Sequence, residues 1–328
     1  MAEMTKKERI RAVLAGGSVD RTPASLWGHN FQREWTPRDL FEHTVEDYRS
    51  GDWDFIKFNP RSTYFAEAWG NAYERPTANQ QPALRSAIVK SSTDLEDIFP
   101  VSPHEGVLGD HLFALRMLVD EVGDEVDILH TVFSPLSVTA QLCGTGTEFR
   151  DLAEANSAAA HGAVQSVCET LTEYAAAAVE MGASGVFFAP LRWASHETCD
   201  EDFYREYGRP YDLQLLLAVN DAPFNAFHVC RTKNMIDLVL DYPVAAFNWA
   251  DRSEGNPGLA EVRERTSAVV MGGIDHTRLH DMSEAEVEQQ VAEAISAGPD
   301  RVIAAPGCAI RPETSQPVRA AIRRAAGA

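Results

Sequence analysis

Short β-rich apolar runs recur eight times along this chain of 328 residues, with helical periodicity between them. Strands and helices in strict succession build a parallel sheet wrapped in helices, so this alternation constrains the fold first. The runs fall at 23–27, 55–59, 128–133, 185–189, 224–229, 245–249, 268–274 and 302–305. Helical stretches fall at 36–50, 149–181, 201–220, 232–240, 259–265 and 283–297. Ser283 before Glu284-Ala285-Glu286 and Pro37 near a helix start are N-terminal signals, while Gly182 and Gly298 stand where helices should end. Eight repeats predict an α/β protein, a single (β/α)₈ TIM barrel over residues 1–328. Residues 60–127 are the least regular part, and the Pro, Asn and Gln content around 75–83 reads as a lid or insertion.

In such a barrel the chemistry gathers at the C-terminal ends of the strands. The fifth run ends in Phe227-His228-Val229-Cys230, and Pro306-Gly307-Cys308 follows the eighth. Residues i and i+2 of a strand point to one side, so His228 and Cys230 can face one ion together. Cys308 can reach the same place across the mouth of the ring. One imidazole and two thiolates suit Zn²⁺, and three protein ligands leave a position open for a substrate atom. A buried histidine with two small packed cysteines would leave the same letters. His29 follows the first run, Asn59 ends the second, Asn248 and Asp251 close the sixth, and Asp275 closes the seventh. Each could contact a ligand, or cap a helix and fix a loop. His196, Glu197 and Cys199 share one loop, which reads as solvated rather than as a second metal set.

Composition then excludes some classes. The formal charge is −20, which lacks the basic footprint a nucleic-acid binder needs. No run of about 18 apolar residues suggests a membrane span. The charged start, Met1 to Arg9, has no apolar secretory core, so a cytoplasmic location is expected. Five cysteines, an odd number in a large chain, favour metal or catalytic use over structural disulfides. Gly144-Thr145-Gly146-Thr147 is glycine-rich but lacks the phosphate-loop lysine.

Several segments are similar to the uroporphyrinogen decarboxylase superfamily, and specifically to its zinc-dependent corrinoid:thiol methyltransferase branch. They are Arg9–Leu14 with Val19-Asp20-Arg21-Thr22-Pro23, Tyr207-Gly208-Arg209-Pro210-Tyr211, Met271-Gly272-Gly273-Ile274-Asp275, and the run from Ala305 to Thr314. In that branch His-x-Cys with a distant Cys is the zinc signature, and His228, Cys230 and Cys308 match it. The resemblance implies a uroporphyrinogen decarboxylase-like barrel that moves a methyl group between a corrinoid, or another donor, and a small thiol held as zinc thiolate. Asp251 would then be a fourth ligand or catalytic group, His29 a second catalytic candidate, and Asn59, Asn248 and Asp275 contacts to substrate or cofactor. The alternatives are a metal-free decarboxylase or lyase on the same barrel, and an accessory subunit that binds a corrinoid protein. The decarboxylases' arginine pair is missing from Leu26 to Arg33, where only Arg33 appears. No Asp-x-His-x-x-Gly corrinoid signature occurs, so cobalamin would arrive on a partner or free. Barrels of this family often pair, which makes a homodimer an expectation. Donor, acceptor and direction of transfer stay open.

Overall fold

The computed structural model describes residues 2–298 and 300–327. Its strands are β1 (Phe55–Phe58), β2 (Ala72–Glu74), β3 (Ala83–Ser86), β4 (Asp127–Phe133), β5 (Gly185–Ala189), β6 (Ala226–Val229), β7 (Ala246–Trp249), β8 (Val269–Ile274) and β9 (Val302–Pro306). Seven of them pair in parallel in the order β1-β4-β5-β6-β7-β8-β9, a curled sheet, while β2 and β3 form a separate antiparallel hairpin. Strands β4 to β9 are buried along their whole length, as a sheet covered on both faces requires.

Alternation along each strand divides the apolar side chains between two clusters. Phe55, Leu129, Phe187, Ala226, Ala246, Met271 and Ile303 share the inner one, joined by Ile10 and Val13 of the helix Lys6–Leu14. Ile56, Ile128, Phe188, Phe227, Phe247 and Val302 point the other way, under the surrounding helices.

The expectation of eight strands is met in part. Residues 23–27 do not form a strand; Ala24 makes a single parallel bridge to Ala304. Ala304 N donates to Pro23 O at 2.9 Å and Asp54 N to Ala24 O at 2.9 Å, so this segment lies against both β9 and the start of β1. Pro23 has no N–H to give to a ladder, which is one reason the segment stays irregular. Below it, Asp54 is fully buried and accepts from Arg9 at 2.7 Å, Arg21 at 2.7 and 2.8 Å, and Ala24 N at 2.8 Å. Arg9 also reaches Asp20 through two bonds of 2.7 Å. The N-terminal segments singled out in the sequence thus lock the floor of the molecule.

Three helical expectations are corrected. The stretch 149–181 is two helices, Glu148–Ala155 and Ser157–Glu180, because the Asn156 side chain accepts from Ala159 N and starts the second. The stretch 201–220 breaks into Glu201–Tyr207 and Arg209–Ala218, with Pro210 at the start of the second. Residues 232–240 hold only a 3₁₀ turn, Ile236–Leu238. The region 60–127 is more ordered than expected: it carries a 17-residue helix, Gly106–Val122, besides the hairpin.

Candidate metal centre

Register positions the first two donors. In the β6–β7 pairing His228 lies opposite Asn248, and the inward side of β6 runs Ala226, His228, Cys230. Cys308 follows β9 after the tight Gly307, where a Cβ would lie 2.8 Å from Ala250 Cα. His228 is buried, and the two cysteines keep partial exposure. His228 Nε2 lies 2.7 Å from Cys230 Sγ, and Cys230 Sγ lies 3.5 Å from Cys308 Sγ. All three donor atoms fall within 4.8 Å of one another. Two Zn–S bonds of about 2.3 Å at a tetrahedral angle separate the sulfurs by about 3.8 Å, so the pair is spaced for one shared ion. The gap is too long for a disulfide.

The imidazole is oriented from behind. Asn248 Nδ2 donates to the carbonyls of Met271 (2.9 Å) and Pro306 (3.1 Å), which turns Oδ1 toward His228 Nδ1 at 2.6 Å. Nδ1 therefore carries the proton, and the Nε2 lone pair faces the sulfurs. Such a partner fixes tautomer and ring orientation at a metal site. The cysteines titrate as one unit: the Cys308 thiol is pulled down because Cys230 S–H bonds its thiolate, and Cys230 is pushed up by the same bond.

These groups open onto a cleft of about 900 Å³. Its wall includes Trp27, His29, Lys57, Asn59, Phe187 and His276 beside the three donors, and Tyr73, Gln81 and Pro82 of the hairpin hang over it. His29 Nδ1 meets Glu34 at 3.0 Å and its ring stacks on Phe31. Asn59 Nδ2 donates to Gly28 O at 2.8 Å. Asn248 is wholly buried and committed to the contacts above. Asp275 accepts from Thr277 N at 2.9 Å and holds the turn after β8.

Asp251 is not among the three grouped donors. Its Oδ1 accepts from Gly273 N at 3.0 Å, and burial pushes its carboxyl up to about 6. The loop of His196 and Glu197 is likewise separate from any grouped donor set among the described residues, and Cys199 donates to Trp193 O at 3.1 Å.

Two residues beside the sulfurs escaped the sequence reading. Burial lowers the pKa of His276, against an upward pull from Cys308. Lys57 donates to Asn59 Oδ1, and its ammonium lies 4.8 Å from the centroid of Phe187. Burial pulls Lys57 down to about 8, opposed by Cys308, Cys230 and Glu34. Its signal was available in the register: a lysine two residues after inward-facing Phe55 and two before Asn59 must also face inward.

The family description "Uroporphyrinogen decarboxylase (URO-D)" matches residues 5–326. The methylcobamide:CoM methyltransferase MtbA of Methanosarcina acetivorans is 24% identical over 291 residues, covering 84% of each chain. A solved methyltransferase from Methanosarcina mazei superposes with a TM-score of 0.86 at 21% identity, covering 99% of this chain and 98% of that one. A B12-independent methionine synthase from Shewanella sp. W3-18-1 follows with a TM-score of 0.63 at 12% identity, over 93% and 97% of the two chains. At these identities the solved structures show a shared fold.

Proposed function

The chain belongs to the uroporphyrinogen decarboxylase family, and on that premise we propose that it is a zinc-dependent methyltransferase acting between a corrinoid and a small thiol. The observation that carries this reading is the convergence of His228, Cys230 and Cys308, with the imidazole lone pair directed at the sulfurs. The curated relative acts, by its name, on a methylcobamide and CoM. The donor set fits zinc: soft thiolates, a neutral imidazole of fixed tautomer, and an open side toward the cleft. A zinc ion held there would keep a bound thiol deprotonated at neutral pH, although a free thiol ionises near ~8.5.

The chain's own residues supply the rest. Asn248 holds the His228 proton on Nδ1, so the ring meets the ion without having to lose a proton. The aromatic walls, Trp27 and Phe187, exclude water and narrow the approach of the thiol. Methyl transfer needs sulfur, carbon and leaving group in line, so positioning contributes more than acid–base help. The corrinoid comes from outside the chain, on a partner protein or free. Arg33, the one arginine near the position where the decarboxylases carry a pair, is paired with Glu46 instead, which disfavours a grip on porphyrinogen carboxylates.

Purified protein is expected to contain one zinc per chain and to transfer methyl from methylcobalamin to a small thiol. Cys308→Ala is expected to lose zinc and activity together. Metal analysis without stoichiometric zinc, or full activity in Cys308→Ala, would overturn the assignment.

A further inference from the structure

The methyl-transfer chemistry leaves the half-buried ammonium of Lys57 unused. Lys57 donates to the neutral Asn59 amide and rests on the Phe187 face, and among the described residues no carboxylate oxygen lies within 4.0 Å of its nitrogen. A charge drawn partly out of water beside an aromatic face is ordinarily paired, because losing water without a partner is costly. In a chain with 49 acidic and 29 basic residues, a partner would have been easy to supply. The cleft has the opposite balance to the chain: Lys57, Arg192, Arg231 and Arg311 line it against Glu197 alone. Arg192 is tied to Thr145 O and Arg311 faces His280 across 3.3 Å, and among the described residues neither guanidinium has a carboxylate oxygen within 4.0 Å.

We propose that Lys57 is the specificity-determining residue of the cleft, pairing with an acidic group at the far end of a short thiol whose sulfur lies at Cys230 and Cys308. The inference rests on the methyltransferase reading of the same site. Both ends of such a substrate are related through one ring. Phe187 lies 4.8 Å from the Lys57 nitrogen and 5.4 Å from the His228 ring, centroid to centroid. The ammonium and the sulfur cluster therefore flank the same aromatic ring of one cleft, as the two ends of a short thiol acid require. The rival role for the ammonium is to balance the negative charge of the sulfur cluster, in which case the far end of the thiol would not matter.

Protein loaded with Co²⁺ in place of zinc reports thiol binding through its visible sulfur-to-metal bands, without turnover. Titrations compare 2-mercaptoethanesulfonate and 3-mercaptopropionate with neutral 2-mercaptoethanol, which has the same short reach. Wild-type protein is expected to bind each acid at least tenfold more tightly than the alcohol. Lys57→Met is expected to reduce that preference to within twofold, with affinity for 2-mercaptoethanol unchanged. Lys57→Gln, which keeps a hydrogen-bonding group beside Asn59, serves equally if the methionine variant does not fold. Equal wild-type affinities, or a variant that weakens all three thiols alike, would overturn the assignment to Lys57. Bound cobalt whose spectrum no thiol perturbs would instead overturn the methyltransferase reading beneath it.

Discussion

Replacing Asn248 by alanine would strip a partner from three buried groups at once: His228 Nδ1 and the carbonyls of Met271 and Pro306. Each orphaned buried group costs about 1–3 kcal/mol, so denaturant unfolding of Asn248→Ala should show a loss of about 3 kcal/mol or more. Zinc competition titrations should show affinity weakened by about 10–100-fold, the usual effect of removing a histidine's supporting contact. Unchanged zinc affinity would mean that the ring is oriented by packing alone. Residue types at strand ends made His228, Cys230 and Cys308 legible, because spacing and chemistry coincide there. Asn248 was legible as a polar residue at a strand end, but its partner was not. That depends on β6 and β7 pairing in a register that puts 228 opposite 248, which a single sequence does not display.

At the scale of elements, Asp212 ties the helix Arg209–Ala218 to its surroundings. The carboxylate is wholly buried and accepts from Tyr204 Oη at 2.6 Å and Tyr242 Oη at 3.3 Å. Burial pushes its pKa up to about 7 from an ordinary 3.8. The folded state therefore keeps a proton that the unfolded chain has already lost, and stability falls as pH rises from about 4 to 7. Asp212→Asn carries no such proton, so its stability relative to wild type should rise across that window and level off above it. Denaturant midpoints from pH 4.5 to 8 measure this; a constant difference would show that Asp212 does not hold its proton. Element boundaries were legible where a cap stands alone, as at Ser283, whose side chain accepts from Glu286 N. They were lost at Asn156 and Gly208, where apolar periodicity continues straight across a break. The helix Gly106–Val122 was obscured by the irregular residues before it.

Across the whole molecule, the buried cluster around Asp54 joins the N-terminal helix, the 20–24 segment and β1. Asp54→Ala would leave the Arg9 and Arg21 charges buried beneath the sheet without this partner, and the loss of one member of a buried pair costs about 3–5 kcal/mol. Thermal unfolding should register that as one of the largest drops from any single change outside the cleft. A small effect would place the floor's stability in the apolar contacts of Ile10 and Val13 instead. The repeated alternation made seven parallel strands legible, but not how the ends of the sheet meet. There Pro23 interrupts the ladder and a bridge replaces a strand.

Cys230 and Cys308, 78 positions apart in the chain, hold their sulfurs 3.5 Å from each other. Without a cation between them, such a pair is only a small approach away from covalent union under aerobic handling. Metal occupancy would then act as armour as well as machinery, because an ion gripping both sulfurs withholds the electron pairs an oxidant needs. Cys143, Cys168 and Cys199, buried and with thiols pushed up to about 12, need no such shield.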